Sequence, residues 1–223
     1  LQRLSREDVD FAGFHVFAGS QNLNSAVLVQ TQRQTAEMVV DIARQADVQV
    51  RYVNLGGGFG IPYFDTDDPL DVHAVGAALG DVLEQVLAPG LPGAEVVVEL
   101  GRYIVGESGV YISRVIDRKH SRGKTFLVTD GGLHHQLAAS GNFGQVIRRN
   151  YPVAIGNRID EPREHVVDVV GCSCTPLDIL GASVAMADAE PGDLVAVFQS
   201  GAYGLTASPT AFLSHPQAVE MLV

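Results

Sequence analysis

Apolar and polar positions alternate in blocks along the first hundred residues. Phe11 to Ala18 is a short, largely apolar run that stops at Gly19-Ser20 and predicts a strand. Asn22 or Asn24 then offers an N-cap for a helix reaching about Ala46. Val48 to Leu55 predicts a second strand, closed by Gly56-Gly57-Gly58. From Leu70 to Leu87, Val72, Val75, Leu79, Val82, Leu83 and Val86 recur at helical spacing, and Pro89 to Gly93 should end that helix. Glu95 to Leu100, with valines at 96, 97 and 98, predicts a third strand. Strand, helix, strand, helix, strand at this spacing is a parallel α/β pattern, and strands this apolar belong to a sheet covered on both faces.

The rhythm changes near Gly106. Segments 109–118, 124–130, 166–171 and 194–199 read as strands with no long helices between them. The expected organisation is an α/β domain over residues 1–106 and a mostly β domain over 107–223. Three strands are too few for a (β/α)8 barrel, which needs about 250 residues. The first domain therefore reads as part of one. The chain starts at Leu1 without a methionine and without a signal-peptide pattern, so an internal or processed start is expected.

Composition narrows the function classes. Hydrophobic residues at 46% against 18% charged exclude a disordered chain. No apolar run reaches the roughly 18 residues that cross a bilayer, so no membrane partner is expected. A net charge of −11 repels phosphate backbones and speaks against nucleic-acid binding. Cys172 and Cys174 are separated by one residue, where a disulfide would be strained. A reduced, cytoplasmic setting is expected, and with no further cysteine a structural zinc site is not.

Candidate chemistry collects at the strand ends, where parallel α/β folds carry their sites. Gly56–Gly58 is either a tight turn or a cradle whose N–H groups surround a phosphate. Glu99 and Arg102 form either an ion pair or a pair in which the carboxylate faces a pyridine nitrogen and the guanidinium binds phosphate. His15 and Phe17 share one strand face. Cys174 is either an inert thiol or a nucleophile or proton donor, and Asp178 follows it.

In order, the motifs His15-x-x-x-Gly19-Ser20, Gly56-Gly57-Gly58, Glu99-x-Gly101-Arg102, Asp130-Gly131, Cys174 and Gly201-Ala202-Tyr203 resemble those of the fold-type III pyridoxal-phosphate (PLP) decarboxylases, which include the diaminopimelate and ornithine decarboxylases. FGIPYF at 59–64, SGNFGQVIRRNYP at 140–152 and CTPLDILG at 174–181 look most like the exosortase-associated and the carrier-protein-linked glutamate subgroups. The resemblance implies an alanine-racemase-like architecture: the C-terminal part of a (β/α)8 barrel followed by a β-sandwich or β-barrel domain, in a homodimer with shared sites. It implies that Ser20, Gly56, Gly57, Gly58, Gly101 and Arg102 hold the PLP phosphate, joined by Tyr203 of the other subunit. Glu99 would pair with the pyridine nitrogen, with His15 and Phe17 beside the cofactor. Cys174, also from the other subunit, would protonate the carbon that loses CO2, and Asp130 and Asp178 would lie at the substrate. The substrate would be a small L-amino acid, free or linked to a carrier protein.

Several positions depart from the family pattern. Phe17 stands where the family has a histidine, and Leu100 where it has a proline. Ala138 and Asn142 occupy the places of the arginine and tyrosine that bind the second carboxylate of diaminopimelate, which speaks against that free substrate; Arg148 or Arg149 is an alternative clamp. The lysines are Lys119 and Lys124, both downstream of Arg102, whereas the family lysine that attaches PLP lies upstream of His15. The expectation is a decarboxylase whose cofactor lysine belongs to a preceding segment, with this chain inactive alone. The alternatives are a catalytically inactive homologue with a regulatory or scaffolding role, and a racemase, against which Glu99 and Cys174 both speak.

Overall fold

The structure, a computed structural model, describes residues 9–64, 66–145 and 148–223. The chain divides between Ile104 and Val105 into two compact units.

The first unit is built on a parallel sheet of three short strands, β1 (Gly13–His15), β2 (Tyr52–Asn54) and β3 (Glu95–Val97), in that order. Helix α1 (Ser25–Ala46) connects β1 to β2. Asn24 caps it by accepting the Val27 N–H at 3.2 Å, and Asp47 closes it in the left-handed conformation. Ala36, Val39, Val40 and Ala43 form one helical stripe and pack on Val50, Val53 and Leu55. Helix α2 (Val72–Val82) shares this core through Val82.

The second helical run ends at Gly90, inside the Pro89–Gly93 segment expected to end it, but Pro89 itself lies within the run. The chain continues through a π-helical turn (Leu83–Leu87) into α3 (Ala88–Gly90), with the Ala88 N–H reaching back to the Leu83 carbonyl. The wider turn accommodates a residue that has no N–H to give and whose ring crowds the preceding turn. The strands are also shorter than the apolar runs suggested. Backbone pairing nevertheless runs on past them: Val16 N–H to Asn54 O at 3.0 Å, Leu55 N–H to Val97 O at 2.9 Å and Glu99 N–H to Gly56 O at 2.9 Å. These bonds hold the loops beyond the strand ends in register. A short helix, α4 (Gly101–Val105), follows.

The second unit is a six-stranded mixed sheet of β4 (Tyr111–Ser121), β5 (Lys124–Thr129), β6 (Val153–Ile155), β7 (His165–Val170), β8 (Ile179–Met186) and β9 (Leu194–Val197). The order is β6-β9-β4-β5-β7-β8, and β5–β7 is the parallel pair. Arg122 and Gly123, both with positive φ, make the tight turn between β4 and β5. The edge strands β6 and β8 approach each other, so the sheet curls into a nearly closed barrel filled by Val115, Leu127, Ile155, Val169, Leu180, Met186 and Val195. Strands β6 and β8 are not among the expected segments. The first is three residues long, and the second carries Gly181 and Ser183, the latter with φ +51°. Asp168 holds that kink by accepting the Ser183 N–H at 2.6 Å. Burial pushes its carboxyl up, but the Lys124 ammonium and Ser183 outweigh this and hold it below the ordinary range. No helix among the described residues is long and apolar enough to cross a membrane.

Asn150 bridges the open seam of the barrel. Its amide donates to the Ala182 carbonyl at 2.8 Å and accepts the Ala182 N–H at 2.9 Å, imitating a strand residue. Asn150→Ala should lower the unfolding free energy by about 2 kcal/mol, roughly 1 kcal/mol for each bond lost. Urea titration measures this, and a midpoint equal to the wild type would show that the seam closes without the amide.

Candidate active site

At the C-terminal ends of the three parallel strands, polar side chains converge on one carboxylate. His15 and Asn54 end β1 and β2 and are neighbours in register. Glu99 follows β3 by two residues. His15 Nε2 lies 3.3 Å from Glu99 Oε1, and Asn54 Nδ2 donates to the same oxygen at 2.8 Å. The other end of the Asn54 amide accepts the Gly56 N–H at 2.8 Å. Buried Asn54 thus links the carboxylate to the glycine turn. Sequence reading passed over it; the signal was an amide closing an apolar strand directly before three glycines.

The glycine turn is a close meeting of backbone segments. A Cβ on Gly56 would lie 2.3 Å from the Val16 carbonyl oxygen, one on Gly57 2.6 Å from that of Glu99, and one on Gly58 2.7 Å from that of Gly19. Three backbone segments meet here with no room for side chains. Among the described residues, the N–H groups of Gly57 and Gly58 donate no hydrogen bond. They line a cavity of about 220 Å³ with Gly19, Ser20, Gln21 and Thr31. At Gly19 and Gly101 an added Cβ would meet nothing within 4 Å, so the space beside them is open. Arg102 is tied to the same loop, donating from Nη1 to Gln21 Oε1 at 2.9 Å, with its guanidinium 5.7 Å from the Tyr63 ring centre. Backbone N–H groups and a serine at one cavity, with an arginine bonded to a residue of its lining, suit a phosphate. Phe17 lies on the loop after β1, outside the hydrogen-bonded cluster, with its side chain 69% exposed.

In the second unit, one buried aspartate organises the loops that carry the other candidates. Asp178 is 2% exposed. Its Oδ1 accepts the Leu133 N–H at 2.6 Å, its Oδ2 the Ser173 N–H at 2.9 Å, and its carbonyl the Gly171 N–H at 2.9 Å. A Cβ on Gly132 or Gly171 would come within 2.2 or 2.3 Å of the carboxylate, so both positions must be glycine for it to be seated. This draws the Asp130-Gly131-Gly132 turn and the Cys172–Cys174 segment together. Asp130 is exposed and accepts the Arg114 N–H at 2.8 Å. Both cysteines are free thiols, Cys174 exposed and Cys172 half-buried. Burial, followed by Asp178 and Asp130, pushes the Cys172 thiol up.

Tyr203 joins this loop cluster indirectly. Asn142 donates to the Leu177 carbonyl at 3.0 Å, and the ring of its neighbour Phe143 lies 5.9 Å from that of Tyr203. Tyr203 itself has φ +55°, a conformation that non-glycine residues take mainly where the surroundings impose it. Lys124 is engaged by Asp168 at 2.9 Å on the barrel wall.

Comparison with known proteins places this geometry. Residues 38–201 match the family model of the pyridoxal-dependent decarboxylase C-terminal sheet domain. The chain is 39% identical over 215 residues to an L-glutamyl-acyl-carrier-protein decarboxylase of Niallia circulans, covering 95% of this chain and 50% of that protein. It is 30% identical to the diaminopimelate decarboxylase of Bacillus subtilis, covering 91% of this chain and 46% of that protein. The diaminopimelate decarboxylase of M. jannaschii in complex with L-lysine shares the fold, with a TM-score of 0.77 at 22% identity over 95% of this chain and 46% of that one. The chain thus spans about half the length of the relatives it matches. By its family match and these identities, the chain belongs to the pyridoxal-dependent Orn/DAP/Arg decarboxylases.

Proposed function

We propose that the protein containing this chain is a PLP-dependent decarboxylase of an L-amino acid. The observation that carries this reading is the Glu99 carboxylate, fixed by Asn54 and His15 at the strand ends, in the unit that also holds the cavity with uncommitted N–H groups. When bound, PLP supplies the electron sink that accepts the electron pair released with CO2. The N–H groups of Gly57 and Gly58, the Ser20 hydroxyl and Arg102 hold its phosphate, with Gly101 leaving room. Glu99 keeps a proton on the pyridine nitrogen, while Asn54 and His15 fix the carboxylate oxygen Oε1. Phe17 offers an exposed aromatic face for the ring.

The exposed Cys174 thiol delivers a proton to the carbon that has lost CO2. Asp178 acts through the loop it anchors, and exposed Asp130 is open to a basic group of the substrate. In a cytoplasmic homodimer, Cys174 and Tyr203 serve the site of the other subunit. The lysine that attaches the cofactor is neither Lys119, on β4, nor Lys124, which Asp168 engages, so these 223 residues alone are inactive. The substrate is a small amino acid, free or carrier-linked; the Niallia circulans relative is a decarboxylase of the carrier-linked kind.

CO2 release by the complete protein with PLP tests this reading. Glu99→Ala should lower kcat/KM by about a hundredfold or more, the scale of losing one positioned electrostatic group. Unchanged CO2 release would overturn the assignment of Glu99.

A further inference from the structure

A cluster outside the proposed PLP chemistry lies where the second unit's loops meet the C-terminal segment. His134, Cys172 and His215 come from three distant stretches of chain, yet one ligand atom from each lies within 4.8 Å of the other two. His134 is 0% exposed, and its Nε2 has no hydrogen-bond partner among the described residues. Leaving a buried ring nitrogen unpaired is costly, and such a group calls for an explanation. Its other nitrogen, Nδ1, lies 3.4 Å from Ser173 Oγ, so an N–H there would leave Nε2 with a free lone pair. Cys172 Sγ is 3.8 Å from His215 Nδ1. In a tetrahedral zinc site, sulfur and nitrogen ligands stand about 3.6 Å apart.

The surroundings build this arrangement. Asp178 joins the loop before His134 to the segment holding Cys172. His135 Nε2 lies 2.7 Å from the Pro216 carbonyl and its Nδ1 lies 3.1 Å from the Tyr111 hydroxyl, which pins the segment bearing His215. Both ring nitrogens of His135 are thereby occupied. The rings of His134 and His215 stack at 4.8 Å. Burial, followed by His135 and His215, pushes the His134 pKa down.

We propose that His134, Cys172 and His215 bind a borderline divalent transition ion of the zinc class, which fastens the C-terminal segment to the barrel loops. On binding, the Cys172 thiol gives up one proton to solvent, both imidazoles enter neutral, and water takes the fourth position.

The test is metal loading of the purified, reduced protein: zinc by equilibrium dialysis with metal analysis, and cobalt(II) by absorbance. The expected result is one zinc per chain and a thiolate-to-cobalt charge-transfer band. Cys172→Ser should abolish the band and Cys174→Ser should retain it. His215→Gln, at a half-exposed position near the chain end, should weaken zinc binding at least tenfold with an unchanged circular-dichroism spectrum. Absence of stoichiometric zinc, or a band that survives Cys172→Ser, would overturn the proposal. Neither outcome bears on decarboxylation, because the PLP reading uses none of these three side chains.

Discussion

Asp178→Ala is expected to lower the unfolding free energy by about 4 kcal/mol. The carboxylate is buried and takes the N–H groups of Leu133 and Ser173, two donors on loops far apart in sequence. Removing it leaves the buried Leu133 N–H and the half-buried Ser173 N–H without an acceptor, at about 1–3 kcal/mol each. Asp178→Asn keeps the shape but turns an NH2 toward one N–H donor, so it should recover only part of the loss. Urea unfolding gives the free energy, and hydrogen exchange at Leu133 and Ser173 reports the local effect. A loss below about 1 kcal/mol, or unchanged exchange at those amides, would show that the loops are held by something else. Cys172 and Cys174 share this segment, so the same substitution should also disturb their reactivity.

Asp178 illustrates what can and cannot be read along a chain. Its place after Cys174 marked it as a candidate, but one of its partners, Leu133, is 45 residues away, and only the fold shows that its oxygens are spent on backbone donors. Asn54 is the converse case. It was passed over because its partner Glu99 is 45 residues away. Helix α1 was legible because its apolar stripe and its Asn24 cap are local features. Strands β6 and β8 were not, since one is flanked by Pro152 and Gly156 and the other is interrupted at Gly181 and Ser183. Their strand character comes from the strands they pair with, β6 through Val195 of β9 and β8 through Val167 and Val169 of β7. The glycine turn was legible as a special backbone. Why it must be glycine shows only when the carbonyls of Val16, Glu99 and Gly19 are seen against it.

Gly56→Ala should therefore be among the most damaging single-methyl additions in the first unit. Gly56 has φ +73°, which costs an alanine about 1–2 kcal/mol. Its new Cβ would stand 2.3 Å from the Val16 carbonyl oxygen, a backbone atom with no rotamer by which to escape. Overpacking of this kind adds about 1–3 kcal/mol, so a total loss of about 4 kcal/mol is expected. The displacement would not stay local. Gly56 accepts the Glu99 N–H through its carbonyl and donates its own N–H to Asn54, whose amide holds Glu99 Oε1. Moving the turn thus moves the carboxylate. Gly101→Ala is the informative contrast, because its Cβ would meet nothing within 4 Å. That variant should match the wild type in urea to within about 0.5 kcal/mol, while the complete protein binds PLP at least tenfold more weakly because the methyl occupies space assigned to the phosphate. Equal PLP affinity in Gly101→Ala would remove Gly101 from the site, and a Gly56→Ala protein as stable as the wild type would show that the β1 and β2 ends can part without cost.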